Sequence, residues 1–282
     1  MGGVVGEFSG KTVLVTGGGA GIGRATLEAF AAQGAAIVCI EIDPARAAAV
    51  RDALRHHPQE VLIEEGDITV PGQPAQLAAR VQARFGRLDV LVNNCGDFLN
   101  LAKPFEAFSD TEIDRLYAIN LRQVFDTTRA MLPLLRNASA GAAIVNISSI
   151  EAFRGIPNCT VYGTFKAALT GFTQSLALEL GPHNIRVNAI APETTETPQV
   201  PASLVIAPEH REHVRRWIPL GRHGTPRDMA DAILFLASPR AAWITGTTLH
   251  VDGGALAAAG WYRDPRDIWT NMPVITGNGM NL

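Results

Sequence analysis

Tyr162 and Lys166 stand four residues apart in YGTFK, so a helix carrying them presents a phenol and an ammonium on one face. An ammonium beside a phenol lowers the phenol's pKa from its unperturbed value near ~10 and brings proton transfer closer to neutral pH. Ser149 closes the apolar run AAIVNISS at what reads as a strand end, where its hydroxyl is suited to hold a substrate oxygen against Tyr162. Together the three side chains suit a reaction in which a proton moves on oxygen while a hydride moves on the adjacent carbon. Such chemistry needs a hydride carrier and a fold that binds one beside it.

A carrier site is legible near the start of the chain. TVLVTGGGAGIGRA joins a strand pattern to a helix pattern through Gly17, Gly18, Gly19, Gly21 and Gly23. A turn of this kind lets backbone approach a pyrophosphate, and the helix N-terminus behind it supplies free N–H groups and a favourable dipole. Glu41 ends the second strand pattern, where a carboxylate accepts hydrogen bonds from ribose hydroxyls. The same carboxylate repels a 2′-phosphate, and Ala20 offers no basic side chain to bind one, so NAD is expected over NADP. Arg24 and Arg46 are nearby cations that read as solvated helix-surface residues.

The elements that must position these groups alternate along the chain. Strand patterns fall at 12–16, 35–40, 60–65, 88–93, 142–148, 186–191 and 247–251, several of them continuously apolar as strands covered on both faces are. Helical periodicity fills RATLEAFAAQG, PARAAAVRDALRHH, QLAARVQARFG, LRQVFDTTRAMLPLLR and KAALTGFTQSLALELG, several ending at Gly. The order predicts an α/β fold, a Rossmann-type doubly wound parallel sheet of about seven strands with helices on both faces, in a single domain. Two stretches break the rhythm, a Pro-rich excursion over 192–224 and a tail after Gly254. The expected organisation is therefore a cofactor-binding domain over 1–254, with 192–224 as its substrate loop, and a C-terminal extension over 255–282.

Composition fits this reading. The 282 residues are 47% hydrophobic and 18% charged with a formal charge of -3, which gives no electrostatic reason to expect nucleic acid or an anionic membrane as partner. Cys39, Cys95 and Cys159 are scattered and odd in number, so neither a disulfide framework nor a metal site is implied. The first residues lack a signal peptide's charged and apolar regions, no run reaches membrane-spanning length, and a cytoplasmic location is expected.

From about Lys11 to Gly254 the chain resembles the short-chain dehydrogenase/reductases, on the motifs T16-G-G-G-A-G-I-G23, G66-D-I-T69, N93-N-C-G96, Asn120 in AINL, N146-I-S-S149, Y162-G-T-F-K166, P192-E-T-T-E-T197 and the closing TGTTLHVDGG. The resemblance implies a catalytic set of Ser149, Tyr162, Lys166 and Asn120, with Asn120 in a water relay from Lys166. It implies cofactor contacts from Gly17, Gly19, Gly21, Ile22 and Gly23, from Glu41, from Asp67 and Ile68 at the adenine, and from Asn93 beside the adenine ribose and the central sheet. Tyr162, Lys166, Pro192, Thr194, Thr195 and Thr197 would contact the nicotinamide half, Thr197 at the carboxamide. Cys95 stands where Ala is usual, Thr164 and Phe165 where Ala-Ser is usual, and Glu193 where Gly is usual. Glu suits positive φ poorly, so ordinary backbone is expected at Glu193.

Phe98, Leu99, Glu151, Phe153, Arg154, Thr194, Val200 and Trp217 are candidates to line a substrate pocket beyond the strand ends. NNCGDFLNLAKPFEAF, the loop with PQVP and the long tail are similar to cis-dihydrodiol dehydrogenases of aromatic rings. A small-molecule alcohol or ketone is therefore expected as substrate, a cyclic secondary alcohol first. Hydroxysteroid and 3-oxoacyl-thioester chemistry would use the same set, and a non-catalytic NAD-binding regulator could share the fold. The family's habit implies a homo-oligomer, tetramer or dimer. Trp261, Tyr262 and Trp269 in the tail are apolar enough to cover either the chain's own surface or a neighbour's.

Overall fold

Along the first strand, Val13 and Val15 pack into one apolar layer and Leu14 into another, and all three are fully buried. That alternation marks a strand covered on both faces. The computed structural model describes residues 6–201, 206, 208–259, 262–264, 266 and 269–270. Its main sheet has seven strands: β1 (Thr12–Thr16), β2 (Ala36–Glu41), β3 (Val61–Glu65), β4 (Val90–Asn93), β5 (Ala142–Ile147), β6 (Ile185–Pro192) and β7 (Thr248–Val251). They pair in parallel in the order β3-β2-β1-β4-β5-β6-β7, so the topology switches direction between β1 and β4. Ligands in such sheets bind beyond the strand carboxyl ends at that switch.

Helices α1 (Gly21–Ala32), α2 (Pro44–Ala53) and α7 (Pro226–Ala237) close one face through Leu27, Phe30, Val50, Met229 and Ile233. On the other face, α3 (Gln73–Phe85), α5 (Gln123–Arg136) and α6 (Thr160–Leu180) pack Leu77, Val81, Met131, Leu135 and Leu180. The expected doubly wound sheet is present, with strand limits within about two residues of those read from the sequence. Two helices lie outside the five stretches read as helical from the sequence, α7 and the short α4 (Asp110–Tyr117). Both carried a legible start signal, because Ser109 with Glu112 and Thr225 with Asp228 form capping boxes.

Between α4 and α5 the chain widens into a π turn over Ala118–Arg122. Such turns expel a carbonyl from the regular ladder, and here the Asn120 side chain donates to the Leu116 carbonyl at 3.0 Å. The 192–224 excursion is not a bare loop. It carries a 3-10 helix at Pro208–Arg216, and Ile206, Val214 and Ile218 bury against Ile150, Ala191 and Ala255 as a small separate core. In the tail, Tyr262–Arg263 pairs antiparallel with Trp269–Thr270, and the first of these strands lies beside the 208–216 helix of the same chain. Trp261 lies outside the described residues. Among the described residues, no helix is long and apolar enough to cross a membrane, and no cluster of three potential metal ligands occurs.

Packing of α1 against the turn after β1 leaves no room at Gly23: a methyl there would collide with the Gly17 carbonyl and stand 2.5 Å from Asn94 Nδ2. Gly23→Ala should therefore destabilise the fold by about 2 kcal/mol, the cost of overpacking a tight contact. In a thermal melt this reads as a midpoint lowered by about 5 °C.

Candidate active site

Five glycines shape the turn after β1, and two of them, Gly17 at φ +64° and Gly21 at φ +52°, hold backbone that side chains disfavour. At Gly19 a Cβ would collide with Glu41 Oε2, so only glycine lets the turn approach that carboxylate. Glu41 is fixed there, accepting from Gly19 N at 2.9 Å and from Asp43 N at 3.1 Å. Helix α1 begins at once, and Ala20 gives it no side-chain cap, whereas Asp43, Ser109 and Thr225 cap α2, α4 and α7. Its first N–H groups are left to an outside acceptor. Glycine cradle, uncapped helix and anchored carboxylate fit the diphosphate and ribose of a dinucleotide.

The remaining residues expected at the cofactor divide into two groups. Asp67 folds its own turn, accepting from Thr69 N at 2.8 Å and Thr69 Oγ1 at 2.7 Å. Ile68 is buried in the core with Leu77 and Val81, and Ile22 packs at the edge of the opposite core. Asn93 is also inside, its amide donating to Thr128 Oγ1 at 3.1 Å and Asn146 Oδ1 at 2.8 Å. Its side chain thus serves the sheet. The residue that reaches the glycine turn is the next one, Asn94, which donates to the carbonyls of Thr16 (2.8 Å) and Gly17 (3.1 Å). The duplicated Asn in NNCG was the signal for it. Arg24 pairs with Glu28 at 2.5 Å, and Arg46 faces Asp43 at 3.8 Å.

Across the strand ends, β5 delivers Ser149 and α6 delivers Tyr162 and Lys166. Ser149 Oγ accepts from Glu151 N at 3.2 Å, which orients the hydroxyl, and its influence on the Tyr162 phenol is to lower that group's pKa. Ser148, its neighbour, turns the other way and donates to the Lys166 carbonyl at 3.0 Å. Lys166 is buried, with Nζ donating to the Ile147 carbonyl at 2.9 Å and lying 5.6 Å from the centre of the Tyr162 ring. Burial lowers its pKa to about 8, with Cys95 and Asp97 pulling back upward. The sequence expectation for Tyr162 is corrected here. Burial raises the phenol well above its usual range; the Ser149 hydrogen bond pulls it down, and the carboxylates of Glu151 and Asp97 push it further up.

Asn120, fully buried in the π turn, donates to Asp97 O at 2.7 Å and accepts from Asp97 N at 3.1 Å. Its Oδ1 and Lys166 Nζ flank Gly96 together, at 3.2 and 2.7 Å from where a Cβ would stand. Asn120 therefore bonds backbone on both sides, and it does so beside the lysine. Asp97 Oδ1 in turn accepts from Leu99 N at 2.7 Å, and Leu99 and Asn100 both adopt positive φ, +56° and +53°. Two consecutive non-glycine residues in this region mark strained backbone next to the site.

The loop after β6 closes the arrangement. Pro192 and Thr195 are buried, and Thr195 bridges to Gly224. Thr194 N and Oγ1 donate to Glu193 Oε1 at 2.7 and 3.0 Å, and Thr195 Oγ1 donates to the Glu193 carbonyl at 2.9 Å. Thr197 reaches the glycine turn, its Cγ2 standing 3.1 Å from where a Gly21 Cβ would lie. Glu193 is not among the residues at positive φ, as expected for a side chain replacing glycine. Sequence reasoning missed its partner: Arg154 Nη2 donates to Glu193 Oε2 at 2.8 Å and to Glu151 Oε1 at 2.8 Å. Of the other candidates for the pocket, Phe153 stacks edge-on against His250, Val200 pairs with Thr197, and Trp217 lies near His223, while Phe98 is half-buried.

Known proteins resemble this chain in sequence and fold. A family model described as enoyl-(acyl carrier protein) reductase matches residues 17–255. The chain is 35% identical to a 3-oxoacyl-acyl-carrier-protein reductase of Thermotoga maritima, over 88% of this chain and 98% of the relative. It is also 35% identical to levodione reductase of Leifsonia aquatica, over 89% and 96%. Among solved structures, a 7 alpha-hydroxysteroid dehydrogenase complexed with NADH and 7-oxo glycochenodeoxycholic acid superimposes with a TM-score of 0.80 at 34% identity, covering 88% of this chain and 94% of the other. Matched in fold, in length and along nearly the whole sheet, this chain belongs to the short-chain dehydrogenase/reductase family, whose members are oxidoreductases.

Proposed function

We propose that this protein is an NAD-dependent oxidoreductase that moves hydride between nicotinamide and the carbinol carbon of an uncharged secondary alcohol, a cyclic one and in its sharpest version a cis-dihydrodiol. The observation that carries this reading is the convergence of Ser149, Tyr162 and Lys166 at the strand ends, opposite an uncapped α1 and an anchored Glu41. When bound, the dinucleotide supplies the two-electron acceptor. Ser149 holds the substrate oxygen, and Tyr162 takes the hydroxyl proton as base in oxidation or returns it as acid in reduction. Lys166 stabilises the phenolate that forms and keeps N–H capacity for a ribose hydroxyl. Asn120 fixes the 95–97 segment beside the ammonium and is suited to hold a relay water there.

Charge favours an uncharged substrate. Glu151 and Asp97 stand near the Tyr162 phenol, and the guanidinium of Arg154 is already held by Glu151 and Glu193. An anionic substrate would meet repulsion from these carboxylates. NAD is favoured over NADP by Glu41, since both of its oxygens are held by backbone N–H groups and the carboxylate cannot swing aside from a 2′-phosphate. A homo-oligomer is supported by Trp243 and Leu178, which are 99% and 81% exposed on the single chain.

A panel of cyclic diols, steroids and secondary alcohols, followed at the reduced-nicotinamide absorbance band, should give turnover with uncharged cyclic substrates and little with carboxylated ones. Tyr162→Phe should lose about 10²-fold or more of that turnover, the scale of a positioned acid–base group, and still bind NAD. Full activity in this variant would refute the role. In a separate comparison, Glu41→Ala should reduce the preference for NAD over NADP, read as the ratio of kcat/KM values, by about tenfold or more. An unchanged ratio would remove Glu41 from cofactor choice.

A further inference from the structure

The Arg154 guanidinium joins two segments that the reaction must bring together. On one side it meets Glu151 through Nη2 at 2.8 Å and Nε at 3.3 Å, and the backbone N–H of Glu151 is the group that orients Ser149. On the other it meets Glu193 at 2.8 Å, and the second oxygen of that carboxylate fixes Thr194. Glu193 is 8% exposed and Glu151 14% at the side chain, against 33% for Arg154, so the ion pairs are sheltered. Glu193 also precedes the short stretch by which Thr197 reaches Gly21. No other described cation is paired with either carboxylate.

We propose that Arg154 is a positioning residue, which sets the turn carrying Ser149 and the loop 193–197 in register so that substrate oxygen and cofactor are held at one geometry. The proposal rests on the reading of 193–197 as a cofactor loop given above. Its physical basis is the sheltered charge-assisted pair: removing Arg154 leaves two neighbouring carboxylates uncompensated, and these repel each other and push the two segments apart. A glycine at 193, as is usual in the family, has no side chain through which to be held. This chain thus substitutes an ionic tether for backbone freedom.

The test uses the full chain in three variants: Arg154→Met, the near-isosteric Glu193→Gln, and the two combined. NAD affinity is read from tryptophan fluorescence, and hydride transfer from a single turnover with the best substrate of the panel. Each single change should weaken NAD binding and slow transfer by about tenfold, and the double variant should be no worse than about threefold beyond Glu193→Gln alone, because the two residues act as one unit. Arg154→Lys should recover part of both losses. Multiplicative losses in the double variant, or singles within twofold of the parent, would overturn the proposal, and if Arg154→Met does not fold, an unchanged Glu193→Gln overturns it alone. Failure of the parent protein itself to bind NAD or transfer hydride would instead refute the function proposed above, which keeps the two outcomes distinct.

Discussion

The structure is organised around a cation kept out of water. Lys166 is 3% exposed, and an ammonium in that position is tolerated only where oxygen atoms and neighbouring charge replace its hydration. The carbonyl that ends β5 supplies one partner at 2.9 Å, and the carboxylate of Asp97 supplies favourable charge. Asp97 is held by Asn120, and Asn120 is turned inward by the π turn that interrupts the α4–α5 passage. A π turn remote from Lys166 in sequence therefore serves its ammonium group. Gly96 completes the constraint, since a side chain there would occupy the space between Lys166 Nζ and Asn120 Oδ1.

Burial acts on the phenol as well, in the opposite sense. It disfavours the phenolate of Tyr162 and the ammonium of Lys166 alike, which moves the phenol's titration away from neutral pH and the ammonium's toward it. The ammonium lies 5.6 Å from the centre of the phenol ring, so a phenolate formed there would face an opposite charge on the same helix face. Ser149 adds the hydrogen bond that favours the phenolate. The arrangement explains why the helix spacing of Tyr and Lys matters more than the residues between them, of which Thr164 and Phe165 depart from the family's usual Ala-Ser. Phe165 turns to an aromatic contact with Tyr117 and takes no part in the site.

Much of this was legible in the sequence, for identifiable reasons. Continuous apolar runs and helical spacing specify a sheet covered on both faces, and the glycine turn and the Tyr-Lys spacing are local patterns. Contacts made across the fold were hidden. Nothing near Arg154 in sequence announces Glu193, and the inward direction of Asn93, which places Asn94 at the glycine turn, depends on sheet register. The direction of the Tyr162 pKa shift is hidden because proximity to a lysine is written in the sequence and desolvation is not. Helix α4 buries a single residue, Leu116, and gives little apolar signal beyond its capping box, whereas α7 buries six residues at helical spacing and is legible from both.

The buried cation can be observed directly. In protein carrying isotope-labelled lysine, with Lys166→Met used to assign the signal, the Lys166 side chain followed by NMR across pH 6–11 should titrate with a midpoint of about 8. Because its folded value lies below that of free lysine, the ammonium should be present below this midpoint and lost above it, while surface lysines still hold their protons. A midpoint near ~10.4, the value of a solvated lysine, would show that Lys166 is not desolvated and would contradict the account.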